Sequence, residues 1–257
     1  TIFLPRAGRL PAPAWVMPGT LIGVPVMPLH PEPASRREQL YEVSVFLFLI
    51  VPSMLLSSSV IRSRGDLSFP ILAVFTIFRD LSLVALLLFF LWRNGEPWRR
   101  LGWTFHHVWR ELFLGAILFP PTFFAANLLQ GYLQAAGFSA PRHALPTFLV
   151  LSGRAELFLA GLLVVVVAIA EETIFRGYLL LRFQGINLSA ANAVLLSGLI
   201  FSLGHSYEGA AGVLSVFFLG TVFALVYLWR QSLVAPIMMH FLQDFTGIIL
   251  APLLGLR

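Results

Sequence analysis

Seven apolar stretches of membrane-spanning length, at about 41–60, 71–92, 111–130, 156–184, 189–205, 212–229 and 234–250, tie this chain to a lipid bilayer. About 20 apolar residues carry a helix across roughly 30 Å of hydrocarbon, and a helix satisfies its own backbone polar groups where no water can. A soluble domain has about 25% charged residues; here 11% are charged and 58% apolar, so no polar coat can be assembled. The expected fold is all-α: a polytopic membrane helical bundle of about seven transmembrane helices, or eight if the N-terminal zone hides another. That zone, residues 1–40, has prolines at 5, 11, 13, 18, 25, 28, 31 and 33. Proline fixes φ and removes a donor, so residues 1–40 read as a proline-rich arm at the membrane surface. Residues 41–257 read as a single transmembrane helical domain.

The 17 basic residues are all arginine, set against 12 acids. They stand at the ends of apolar runs and form no basic stripe, so a nucleic-acid partner is not expected. With a cytoplasmic N-terminus, Arg6, Arg9, Arg36, Arg37, Arg93, Arg99, Arg100, Arg110, Arg176, Arg182 and Arg230 fall inside. Only Arg62, Arg64, Arg142, Arg154 and Arg257 fall outside, and the positive-inside rule favours that orientation. The exclusive use of arginine hints at a GC-rich genome, hence a bacterial inner membrane. The absence of cysteine removes thiolate nucleophiles, iron–sulfur clusters and cysteine-ligated zinc.

An ionisable side chain at mid-bilayer costs about 2.5–3.5 kcal/mol on insertion scales and persists where it pairs or does chemistry. Three groups qualify. In Glu171-Glu172-Thr173-Ile174-Phe175-Arg176, Glu172 and Arg176 are i and i+4 on a helix, acid first, and can form an ion pair. Glu171 points about 100° away and is left for other work, such as general base catalysis. The second group, Phe201-Ser202-Leu203-Gly204-His205, ends the fifth stretch. Measured from the connection near 185–188, Glu172 and His205 lie at nearly equal depth on antiparallel neighbours, given about 1.5 Å per residue. The third, His240-Phe241-Leu242-Gln243-Asp244, puts a histidine and an acid on one helical face. Arg79 and Asp80, as i and i+1 neighbours, face different directions and read as an interhelical structural bridge.

The ordered set E-E-x-x-x-R, F-x-x-x-H and H-x-x-x-D resembles the CAAX protease and bacteriocin-processing family, also called the abortive-infection family. That family includes the type II CAAX prenyl endopeptidases, and the resemblance covers about residues 150–250. It implies an intramembrane endopeptidase in which Glu171 and His205 activate a water. His240 and Asp244 would bind the oxyanion or orient the water, and Glu172 with Arg176 would be the buried structural pair. Family prenyl endopeptidases carry asparagine where this chain has Asp244, and an ionised aspartate cannot donate to an oxyanion. Asp244 is then protonated, orients His240, or helps to bind a metal. The leading reading needs no cofactor; the alternative is zinc held by Glu171, His205 and His240. The implied partners are membrane lipid and a peptide or lipidated protein substrate. A different class of function is a non-catalytic scaffold subunit of a membrane complex, whose partner proteins would cover the apolar surface supplied by 24 phenylalanines.

Overall fold

The computed structural model describes residues 20–21, 24–25, 34–63, 68–140 and 153–255. Most of the expected arm lies outside the described residues. Within it, Thr20–Leu21 pairs antiparallel with Val24–Pro25. The chain divides into Thr1–Glu32 and Pro33–Arg257, and the second unit holds every described helix.

All seven apolar stretches are helical, and the protein is a polytopic integral membrane bundle. The helices are α1 (Arg36–Ser63), α2 (Phe69–Arg93), α3 (Val108–Ala135), α4 (Arg154–Glu172), α5 (Leu180–Gly185), α6 (Ala190–Leu203), α7 (Gly209–Arg230), α8 (Val234–Asp244) and α9 (Ala251–Leu253). Among the described residues six spans are long and apolar enough to cross a membrane; α6, with 14 residues, is shorter. Helix α1 starts inside the zone expected to be arm. Ser35 Oγ accepts from the Glu38 N–H at 3.3 Å and Glu38 Oε2 accepts from the Ser35 N–H at 2.7 Å, a reciprocal capping box that fixes the helix start.

Two helices change pitch directly after an acidic residue. Thr173–Leu179 is π-helical and joins α4 to α5 in one 32-residue span, and Phe245–Leu250 is π-helical and joins α8 to α9. Asn187 ends the long span in the left-handed region at φ 72°. A widened turn disturbs the regular backbone ladder, and lipid offers no replacement partners. In the first π segment a neighbouring helix supplies one: the buried Ser197 hydroxyl of α6 donates to the Phe175 carbonyl at 2.7 Å.

Helix α4 packs against α2 and α8, α6 against α7, and α3 against α7 and α8. The largest apolar cluster surrounds Tyr178, with Phe46, Phe175, Phe183 and Leu101 among its buried members. A charged cluster borders this core, with Arg182 over the Tyr178 ring. The fully buried Arg182 donates through Nη1 to both Glu96 oxygens at 2.9 and 3.0 Å and lies 3.2 Å from Glu42 Oε2. Arg93 and Asn94 also donate to Glu42, and Arg100 pairs with Glu96. Arg230 pairs with Glu111 at 2.6 Å. Arginines that mark topology in the sequence are thus also half of a set of ion pairs.

Gly177 lets the π segment approach the short turn Trp98–Leu101: a Cβ there would stand 2.8 Å from the Leu101 carbonyl oxygen. Because that obstacle is backbone, Gly177→Ala is expected to destabilise the protein by about 1–3 kcal/mol. A thermal unfolding curve in detergent, showing a lower midpoint than wild type, checks it.

Candidate active site

Three spans bring the interior charges together. Helix α4 supplies Glu171 and Glu172, α8 supplies His240 and Asp244, and α2 supplies Arg79 and Asp80. The π segment adds Arg176. Phe201 of α6 and Phe223 of α7 close the back.

The rear of the cluster is sealed. Glu172 is fully buried, and its Oε1 accepts from Arg176 Nη1 at 2.7 Å and from His240 Nδ1 at 2.8 Å. Arg176 also donates to the Gly220 carbonyl at 3.2 Å, and its guanidinium lies over the Phe201 ring, 4.4 Å from the centroid. A Cβ at residue 220 would meet Phe201 at 3.0 Å and Arg176 Nη2 at 3.2 Å, so glycine is what allows α7 this close. Donation from Nδ1 to a carboxylate already held by an arginine sets the histidine tautomer. In neutral His240 the Nε2 lone pair faces forward.

The front is looser. His240 Nε2 faces Glu171 Oε2 at 3.7 Å and Asp244 Oδ2 at 3.5 Å. Glu171 Oε1 faces Arg79 Nη2 at 3.9 Å. These distances exceed ordinary hydrogen bonds, and the side chains of Glu171, Asp244 and Arg79 keep 14%, 21% and 21% of their exposure. His205 lies across Phe201: the Phe201 ring is 5.2 Å from the His205 ring and 5.9 Å from the His240 ring. Its Nδ1 is 3.4 Å from the Phe201 carbonyl oxygen. Among the described residues no hydrogen bond or ion pair joins His205 to Glu171; the histidine nearest that carboxylate is His240.

Arg79 and Asp80 do not diverge as i and i+1 spacing predicts. The arginine folds back so that Nε and Nη2 both lie 2.8 Å from Asp80 Oδ1, and the guanidinium fronts Glu171. Sequence reasoning set this pair outside the site. A signal was available: an arginine about 15 Å from the start of its span, by helical rise, is as deep as the residues that were singled out. The donor geometry bears on the zinc alternative in two ways. Glu172 on His240 Nδ1 leaves Nε2 free to ligate, as in metal-binding histidines, but among the described residues no three histidine or acidic side chains form a group able to hold a metal ion.

This arrangement, a carboxylate facing a buried histidine with a second histidine close by, is what a match to known proteins has to explain. Residues 153–246 match the family of type II CAAX prenyl endopeptidases, Rce1-like. No curated protein and no solved structure matches the chain. The Rce1-like segment takes in Glu171, Glu172, Arg176, His205, His240 and Asp244 and leaves Arg79 and Asp80 outside. The sequence resemblance and the family match therefore fall on the same helices, and the family is one of proteases.

Removing Arg176 strands Glu172 with one partner in a sealed, apolar site. Arg176→Ala is expected to destabilise the fold by about 3–5 kcal/mol, the usual cost of breaking a buried pair from one side. Folded yield and unfolding temperature in detergent both fall if this is right.

Proposed function

We propose that this protein is an intramembrane endopeptidase of the CAAX protease and bacteriocin-processing type, acting on a membrane-associated or lipidated protein or peptide. The observation that carries the reading is the Glu171 carboxylate, partly exposed, without a hydrogen bond among the described residues and 3.7 Å from His240 Nε2, at the front of a sealed charge cluster. A carboxylate so placed can accept a proton from water without first breaking a strong hydrogen bond.

In the proposed reaction a water hydrogen-bonded to Glu171 attacks the scissile carbonyl carbon. Its proton passes to Glu171 as the new carbon–oxygen bond forms and charge moves onto the carbonyl oxygen. Collapse of the tetrahedral intermediate breaks the carbon–nitrogen bond, and Glu171 returns the proton to the leaving amine. His240, its tautomer set by Glu172, and Asp244 one turn on orient the water. His205 approaches from the α6 side and assists its activation. Glu172 and Arg176 hold the frame. No metal is required on this reading. The remaining assignments follow from arginine usage: a bacterial inner membrane and a cytoplasmic N-terminus, which puts the larger group of arginines inside.

The test is digestion of a mixed peptide library, including lipidated peptides, by the detergent-purified protein, read by mass spectrometry. Glu171→Gln keeps the shape and loses proton transfer, so it is expected to abolish cleavage, by about 100-fold or more, with an unchanged unfolding temperature. Cleavage by wild type is expected to survive a chelator. Equal cleavage by Glu171→Gln overturns the mechanism, and loss with the chelator restores the zinc alternative. A folded wild type that cuts nothing favours the scaffold role.

A further inference from the structure

A tetrahedral intermediate needs donors for its oxyanion, and the motif residues supply few. Glu171 is the base, His205 assists the water, an ionised Asp244 only accepts, and His240 has committed Nδ1 to Glu172 and keeps only Nε2. We propose that Arg79 of α2, outside the matched segment, is an oxyanion donor of this site; this rests on the endopeptidase reading above.

The geometry separates Arg79 from the structural arginines of the same fold. Arg176 closes on Glu172 at 2.7 Å with both side chains sealed from solvent. Arg182 closes on Glu96 at 2.9 Å, likewise buried. Arg79 stops 3.9 Å short of Glu171 and stays one-fifth exposed. What it does close on is its neighbour in sequence. Nε and Nη2 both hold Asp80 Oδ1 at 2.8 Å, and the Asp80 side chain is buried. This fixes the plane and direction of the guanidinium. An arginine carries five N–H donors; two are spent on Asp80, and three remain, one on Nη2 and two on Nη1. Among the described residues only Asp80 and, at 3.9 Å, Glu171 face the guanidinium as ionic partners. Asp80 Oδ2 is itself buried without a hydrogen-bond partner, so the carboxylate is poorly placed for anything except holding this arginine.

Distance also decides what the guanidinium can reach. In the tetrahedral intermediate the attacking oxygen, still held by Glu171, and the oxyanion are neighbours on one carbon, so a donor about one hydrogen bond beside the base faces the developing oxyanion. A substrate group three residues from the cut would stand about 10 Å away along an extended chain. Arg79 is therefore placed for the bond being broken and too close to the base for a remote substrate carboxylate. As the carbonyl π electrons move onto oxygen, the remaining N–H groups of Arg79 donate hydrogen bonds to the anion. No proton is transferred from the arginine, which stays cationic throughout. When the carbon–nitrogen bond breaks, the charge returns to the carbonyl and those bonds weaken.

The experiment uses the full chain in detergent and an internally quenched peptide bearing a sequence that wild type cuts in the library digestion. Kinetic constants are expressed per folded molecule. Arg79→Ala is expected to lower kcat by about 10²–10³, the usual cost of one oxyanion donor, with KM within about threefold of wild type. Millimolar methylguanidinium is expected to restore part of the lost kcat in Arg79→Ala and to leave wild type unchanged. If Arg79→Ala does not fold, Arg79→Lys replaces it, with kcat expected to fall at least about tenfold because a point charge cannot hold Asp80 and donate forward together. Either variant with wild-type kcat per folded molecule overturns the proposal and leaves the endopeptidase reading standing, as does a loss confined to KM. A wild type that cuts no library peptide, or a Glu171→Gln variant that cuts equally well, overturns the reading itself and this assignment with it.

Discussion

One carboxylate oxygen, Glu172 Oε1, holds the centre of this protein together. It receives a guanidinium from the π segment at 2.7 Å and an imidazole from α8 at 2.8 Å, with no exposure to solvent. An isolated charge at that depth would be expelled or neutralised; two donors on one oxygen offset its desolvation. The same oxygen decides how α4 and α8 meet and which ring nitrogen of His240 carries the proton. It also fixes where Arg176 lies between Phe201 and Phe223.

This rigid rear makes the front possible. Side chains that must change hydrogen-bond partners during a reaction cannot also be the struts of the fold, and here the two duties are divided. Glu172, Arg176 and the Nδ1 side of His240 are closed, whereas Glu171 stands 3.7 Å from His240 and 3.9 Å from Arg79, and Asp244 stands 3.5 Å from His240. Pre-set groups with slack between them can close on a tetrahedral intermediate without rebuilding the site.

Much of the fold was legible because lipid permits so few structures: the apolar stretches had to be helices. The meeting of Glu172 with Arg176 was legible from i, i+4 spacing, and that of His240 with Asp244 in the same way. Equal depth across a short connection suggested that Glu172 and His205 come to one level, yet periodicity could not say that Phe201 would stand between the two histidines. The π segments left no mark that pattern reading detects, because their wider turn depends on partners such as Ser197 on another helix. The closure of Arg79 on Asp80 was missed for a related reason. Adjacent residues on a helix do diverge at Cβ, but an arginine is long enough to fold back on its neighbour. Glu42, Glu96 and Glu111 were passed over because each lies near a span end, where a charge looks solvated until its arginine is located.

The cluster around Arg182 bears on how such a chain is made. Membrane helices enter the bilayer in order of synthesis, so Glu42 and Glu96 are in place long before the ribosome reaches Arg182, their shared buried partner. Until then, among the described residues, Glu42 has only Arg93 and Asn94, and Glu96 only Arg100, all near the end of α2 or just beyond it. The N-terminal helices would thus leave the translocon with an electrostatic vacancy between them, which the end of the long α4–α5 span fills. Assembly of the bundle acquires a direction: the segment that matches the Rce1-like family arrives late and docks into a socket of charge built by helices outside that segment.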